Sequence, residues 1–453
     1  MFQIDKSEEL TTNKISDIIS AFQTSELPKL KHYRDYYDGK QKILQKTATD
    51  TGKPCNKIVV NYCYNITENY QGYLTGIPIR YNNENLEEVL EILNYNDVHK
   101  EDNELLRSAL IYGKSYEICY VDEEGKQRFR ALDSRECIPV YDNTLTNELL
   151  YVIRFWQEER VENSINKSTY IVEVYGQNDI KKYKSNDGFS SLLLIEEIPH
   201  HYGMCPITVF SLNEDEVSIF DKIMTLQDGY NQLISDEVDD FDAFADAYLV
   251  LKGVTADDDD LDSMKTNRVL IMDPDASAEY LTKSISDTQI TNMLQNFNDQ
   301  IHKISNSPDF NDEKFLAQSG IAMKYKLVGF ENQASNIQSN MTKALQRRLE
   351  LICNILSLTD VEAVWRDVDI IFTRNLPLTL VPSTPQELMQ YKGLVSDETL
   401  LSLLPFINDV KEELLKMKAQ TEANMSLYNF NINEDNNEWL LEIQRNPWKR
   451  KVT

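Results

Sequence analysis

The side chains most able to do chemistry fall in one short stretch. Pro308-Asp309 is followed closely by Asp312-Glu313-Lys314. Acids beside a lysine are the equipment of a metal-dependent nuclease, in which carboxylates share a divalent cation that activates the attacking water. That chemistry needs the carboxylates to converge from neighbouring strands. Here Asp309 and Asp312 are three positions apart and the patterns on both sides are helical, which favours a loop between two helices. The run Asp257-Asp258-Asp259-Asp260 lacks the alternating ligands, central glycine and closing glutamate of a calcium loop, and reads as a solvated turn. His200, His201 and Cys205 lie close together but have no second ligand pair, so a loop before a strand is preferred to a zinc site. The phosphate-loop, H-E-x-x-H and G-x-S-x-G patterns are missing, and no cofactor is implied.

Lys343, Arg347 and Arg348 lie one turn apart near Glu350. They fit a solvated helix face with i,i+3 and i,i+4 pairs, or a contact with DNA or a neighbouring subunit. The whole chain argues against a tight grip on nucleic acid. Its 453 residues carry 74 acids against 46 bases, a net charge of −28, whereas holding phosphates requires cations that displace counterions. With 41% hydrophobic residues it can still bury substantial cores. The start, MFQIDKSEEL, lacks a signal-peptide pattern, and no apolar run reaches the roughly 18 residues of a membrane span. Six scattered cysteines without a C-x-x-C pair predict reduced thiols in a cytosolic setting.

The elements that must hold these residues can be placed by periodicity. Helices are expected over 8–38, with Ile15, Ile18, Ile19 and Phe22 on one face, over 62–75, and as a pair within 84–112. From Gly113 to Leu212 the period shortens to that of strands, at 115–121, 149–156, 170–175, 191–195 and 206–210. A long acidic helix follows over 217–246, then strands at 247–251, 268–272 and 278–281, a helix over 287–305 and a very long helix over 319–356. Gly320 and Gly329 within the last are places where a bend is cheap. A strand over 368–373, helices over 385–395 and 396–418, and a polar tail end the chain.

Several stretches, in this order, resemble one family: YRDYYDGKQKIL (33–44), KPCNKIVVNYCYNITENYQGYLTGIPI (53–79), DFDAFADAYLVLKG (240–253), NRVLIMD (267–273) through SNSPDFNDEKF (305–315), SGIAMKYKLVGFEN (319–332), KALQRRLELI (343–352) and DIIFTRNLP (369–377). They are similar to portal proteins of tailed bacteriophages, in particular those of long-tailed phages of Gram-positive bacteria. The resemblance implies an α+β portal fold in a ring, commonly of twelve subunits, at one capsid vertex. On this chain it implies a wing (1–212), stem helices (213–246 and 285–307), a small α/β clip (247–284), a tunnel loop (308–318), a long kinked helix with a wing strand (319–380), a helical crown (381–418) and a polar tail (419–453). Asp309, Asn311, Asp312, Glu313, Lys314 and Gln318 would then face DNA on the tunnel loop. Asp236, Asp239, Asp240 and Asp242 would be channel acids of the first stem helix. Implied partners are further copies of the chain, the terminase large subunit, a head-completion protein, scaffold and major capsid protein, and double-stranded DNA passing without tight binding. No membrane is implied. The implied location is the virion, with assembly in the host cytoplasm. The rival readings are a small connector, which would lack the helix–strands–helix–loop–helix order of 217–356, a nuclease using Asp309, Asp312 and Lys314, and a non-catalytic DNA-binding protein.

Overall fold

A computed structural model describes residues 2–48, 53–82, 87–162, 165–245, 248–252, 277–281, 287–310, 320–359 and 364–375, with short pieces between 390 and 422. The chain divides into two units, Met1–Asn375 and Leu376–Thr453.

The first unit begins with a short strand, β1 (Phe2–Ile4), and two helices, α1 (Thr12–Ser25) and α2 (Leu27–Tyr37). One helix was expected here. Pro28 instead stands in the first turn of a second, where its missing N–H costs nothing, and the chain breaks at Glu26. The Thr11 side chain caps α1, which buries Ile15, Ile19 and Phe22. After α3 (Tyr62–Thr75) come β2 (Arg80–Asn82), α4 (Glu87–Tyr95) and α5 (Val98–Tyr112). Helix α5 ends on Gly113 at φ 84°, and a Cβ there would collide with the Glu216 backbone.

The strand-rich block holds β3 (Lys114–Val121), β4 (Gln127–Leu132), β5 (Cys137–Asp142), β6 (Leu149–Glu162), β7 (Ile165–Tyr175), β8 (Asp179–Ser185), β9 (Leu193–Pro199) and β10 (Ile207–Ser211). Periodicity missed β4, β5 and β8. The strands form two sheets, ordered β1-β5-β6-β7-β8-β9 and β10-β3-β4. Pairing is antiparallel except for β1 beside β5. Tyr116 and Ile207 of the smaller sheet meet Cys137, Val152 and Tyr175 of the larger in one buried cluster that includes Cys205. Burial pushes the Cys205 thiol up to about 11.

Beyond the sheets lie α6 (Met224–Ala245), the hairpin strands β11 (Tyr248–Lys252) and β12 (Ser277–Leu281), α7 (Asp287–Ser305), α8 (Gly320–Leu356) and β13 (Asp369–Ile371), which pairs with β2. The helix expected from 217 starts later. The Asn213 side chain takes up both backbone groups of Val217, and Ser218 Oγ accepts from the Phe220 N–H and donates to Leu110 O, which holds 213–220 in turns. At about 1.5 Å per residue, the 37 residues of α8 span roughly 55 Å. The strand expected at 268–272 and the Asp257–Asp260 run lie outside the described residues. In the second unit α9 (Asp397–Ser402) is helical. Residues 392–395, expected to close a helix, instead make a turn around Gly393 at φ 91°.

Candidate functional site

Helix α6 carries a column of hydrogen-bonding side chains at four-residue spacing: Gln227, Asn231, Ser235 and Asp239. Against it lies residues 56–62. The N–H groups of Tyr62, Val60, Ile58 and Asn56 donate in turn to Gln227 Oε1 (2.9 Å), Asn231 Oδ1 (3.0 Å), Ser235 Oγ (2.9 Å) and Asp239 Oδ1 (2.6 Å). Alternate N–H groups facing one way are the mark of an extended chain, and here a helix stands where a neighbouring strand would be. The spacings agree: four helical residues rise about 6.0 Å and two extended residues about 6.6 Å. Gln227, Asn231 and Ser235 are fully buried, so each rung satisfies a backbone group that has lost water. Gln227 also donates to Val60 O (2.5 Å), and Asn231 to Gln41 Oε1 (2.5 Å).

The acidic end of α6 is tied to the same segment. Lys46 Nζ bridges Asp236 (2.7 Å) and Asp239 (2.5 Å), and the Asn56 side chain donates to Asp239 (2.9 Å) and Asp242 (2.8 Å). Desolvation opposes the Asp239 charge. Hydrogen bonds from Lys46 and Asn56 overcome it and hold the carboxyl below the usual aspartate range. Of the four acids expected to line a channel, Asp239 is thus committed to contacts within its own chain, and the exposed Asp242 accepts one bond from Asn56. Asp236, half of whose side chain is exposed, and the half-buried Asp240 keep an outward share. Helix α7 packs on α6 with the Phe297 ring over Gly229. A Cβ on that glycine would stand 3.1 Å from the ring.

The turn leading into the 308–318 stretch is built from α3, α7 and α8. Tyr70 donates to Ser305 O (2.9 Å) and Asn69 to Ser307 Oγ (3.2 Å), while His302 Nδ1 lies 2.8 Å from Ser307 O. Phe310 meets Phe330 edge-on, and Phe330 is packed by Tyr70 and Tyr73. Asp309 Oδ2 stands 3.9 Å from His302 Nε2. Asn311, Asp312, Glu313, Lys314 and Gln318 lie outside the described residues. Among the described residues no cluster of three metal-ligating side chains occurs. Gly320 opens α8. Gly329 sits inside an unbroken helix, and a Cβ there would stand 2.9 Å from Asn306 Oδ1. Its service is clearance for Asn306, which takes φ 53° in the turn.

Arg348 corrects the expectation of a basic face on α8. It is fully buried. Its guanidinium donates to both Glu117 oxygens (2.7 and 2.6 Å) and to Asp102 (2.5 Å), reaches Tyr81 Oη (3.3 Å), and lies over the Phe129 ring. Burial lifts the Glu117 carboxyl above its ordinary range, with Arg348 pulling the other way. Neither solvent nor DNA reaches this side chain. The signal was present: Met341, Leu345, Arg348 and Ile352 share one helical stripe, and the other three are core. Arg347 is half-buried and donates to Cys205 O and Glu350 (each 3.3 Å), which leaves Lys343 as the exposed member of the trio. A second tie joins α8 to the end of β13, where Arg374 donates to both Glu331 oxygens (2.9 to 3.2 Å) and Tyr73 also donates to Glu331. Burial works against the Glu331 charge, yet these donors hold its carboxyl below the usual glutamate range.

At HHYGMC, His200 Nε2 lies 3.2 Å from Gly176 O, and burial lowers its pKa. Every bond described here positions a chain segment. Comparison with known proteins gives the arrangement a setting. The family described as phage portal protein, SPP1 Gp6-like, matches residues 16–427. The chain is 22% identical over 428 residues to a portal protein of Clostridium phage phiCD119, covering 88% of this chain and 94% of that one. It is 23% identical over 416 residues to a portal protein of Bacillus phage SPP1, covering 86% and 80%.

Proposed function

Because the chain belongs to the SPP1 Gp6-like family of phage portal proteins, we propose that it closes into a ring at one capsid vertex and serves as the passage for DNA during packaging and ejection. The family is structural, not enzymatic, and part of the virion capsid. The nuclease reading of Asp309, Asp312 and Lys314 is set aside with it. In this reading α6 and α7 are stem helices, the hairpin β11–β12 belongs to the clip that receives terminase and then a head-completion protein, 308–318 is the tunnel loop, and α8 crosses the wing above it. The crown lies within 381–418. Assembly takes place in the host cytoplasm, with scaffold and major capsid protein as neighbours. Among the described residues no helix is long and apolar enough to cross a membrane.

The observation that carries this reading is the match over residues 16–427, joined to the order α6, hairpin, α7, turn, α8 on one frame. A net charge of −28 per copy suits a passage that must not hold duplex, because a basic lining would bind phosphates and act as a brake. A head-to-tail contact between identical chains closes into such a ring when the rotation permits. Electron microscopy of the purified protein tests it. Rings with an opening wide enough for a duplex support the proposal, and monomers or dimers that persist at high protein and high salt overturn it.

A further inference from the structure

Among the described residues, one sheet edge is conspicuously apolar and exposed. Strand β9 forms one edge of the six-stranded sheet, and among the described residues it pairs with β8 alone. All seven of its residues are exposed, including Leu193 (72%), Leu194 (52%), Ile195 (53%) and Ile198 (43%). An aliphatic edge of this kind offers a row of backbone donors and acceptors to any extended chain, and soluble proteins ordinarily blunt it with charge. The blunting here is partial and one-signed: a bulge at Ile195, and Glu196 beside Glu197. On the inner side β8 sets Lys181 opposite Glu197, its Nζ 3.8 Å away, and Lys182 opposite Glu196, with the Lys182 Nζ turned to Glu173 at 3.4 Å. The outer side of the strand has no cation of its own, since 193–199 contains neither lysine nor arginine.

We propose that β9 docks an extended segment of a different protein, aliphatic where it crosses Leu193–Ile195 and basic where it meets Glu196 and Glu197. Side chains directly opposite on paired strands favour unlike charges and matched apolar groups, and main-chain bonds to the open edge supply the common part of the affinity. A second copy of β9 would match the aliphatic run but bring no base to the two glutamates. This inference is independent of the ring.

The test is amide hydrogen exchange on the full-length protein with two synthetic ten-residue probes, one alternating valine with lysine and one alternating valine with glutamate. The valine–lysine probe should slow exchange across 193–199 at least tenfold more than the valine–glutamate probe. The double variant Glu196→Lys, Glu197→Lys should reverse that preference. Both changes are at exposed positions, and an unchanged melting curve confirms the fold. Equal protection by the two probes, or none by either, overturns the proposal. So does a change of oligomeric state in Leu194→Lys, which would make the edge a contact between copies.

Discussion

Helices α6 and α8 are fixed to the same N-terminal body by opposite chemistry. Helix α8 is held by one buried guanidinium between two carboxylates, with an aromatic ring against its face. Helix α6 is held by a row of small polar acceptors that read the backbone of 56–62 and becomes more solvent-exposed toward Asp242. The first is an all-or-none anchor, because removing the guanidinium leaves two carboxyl groups buried together without a cation. The second is graded, because each rung is a separate and modest bond. The difference suits their neighbours. The anchor secures a long helix to the sheet that carries the core. The row grips a helix that must also pack on α7.

The sharpest way to break this contrast is at Arg348. Arg348→Met should cost about 3–5 kcal/mol in denaturant unfolding, because Asp102 and Glu117 remain buried without their partner. Adding Asp102→Asn and Glu117→Gln should restore a large part of it. A loss below about 1 kcal/mol would mean that the cluster is no anchor. Next comes the row: Asn231→Ala should cost about 1–3 kcal/mol by leaving the Val60 N–H and the Gln41 side chain short of partners. Exchange at Val60 should rise while that at Glu117 stays unchanged, and coupled changes at both would merge the two regions into one.

Acid should loosen both helices, through Asp239 on α6 and Glu331 on α8. Asp239 and Glu331 are held below their ordinary ranges in the folded state. Their stabilisation is therefore present above the unfolded carboxyl values, near 4, and is lost as pH falls through the lower folded values. Urea unfolding between pH 6 and pH 2.5 should show this slope, and it should flatten in a variant combining Asp239→Asn with Glu331→Gln. The smallest effect is expected for Lys46→Met, about 1 kcal/mol that high salt removes only in part, since Asp236 is half solvated while Lys46 and Asp239 are mostly buried.

Much of this was legible in the sequence. The bounds of α3 and α7 agree with periodicity to the residue, since Asn61 caps the first and both carry unbroken apolar spacing. Strands β4, β5 and β8 were not, because QRFRAL, CIPVYD and DIKKYKS mix charge, proline and lysine into short runs whose burial comes only from the neighbouring strands. Arg348 was misread because charge was given more weight than its place on an apolar stripe. Gln227, Asn231 and Ser235 carried no signal at all. Their partners are backbone N–H groups, which every residue but proline possesses, so no sequence pattern at 56–62 could announce them.

The row on α6 behaves as a vernier. Its two scales differ by about 0.6 Å per rung, so three intervals accumulate a mismatch of nearly 2 Å. Side chains of unequal reach, from serine to glutamine, absorb that much. The row ends where its donors do: Pro54 has no N–H to offer at one end, and at the other the Tyr64 N–H is taken by the Asn61 side chain. The column on the helix ends at the same two places, with Ile223 and Ala243 where it would continue. The length of the grip is therefore set from the strand side, by where the extended chain runs out of free N–H groups.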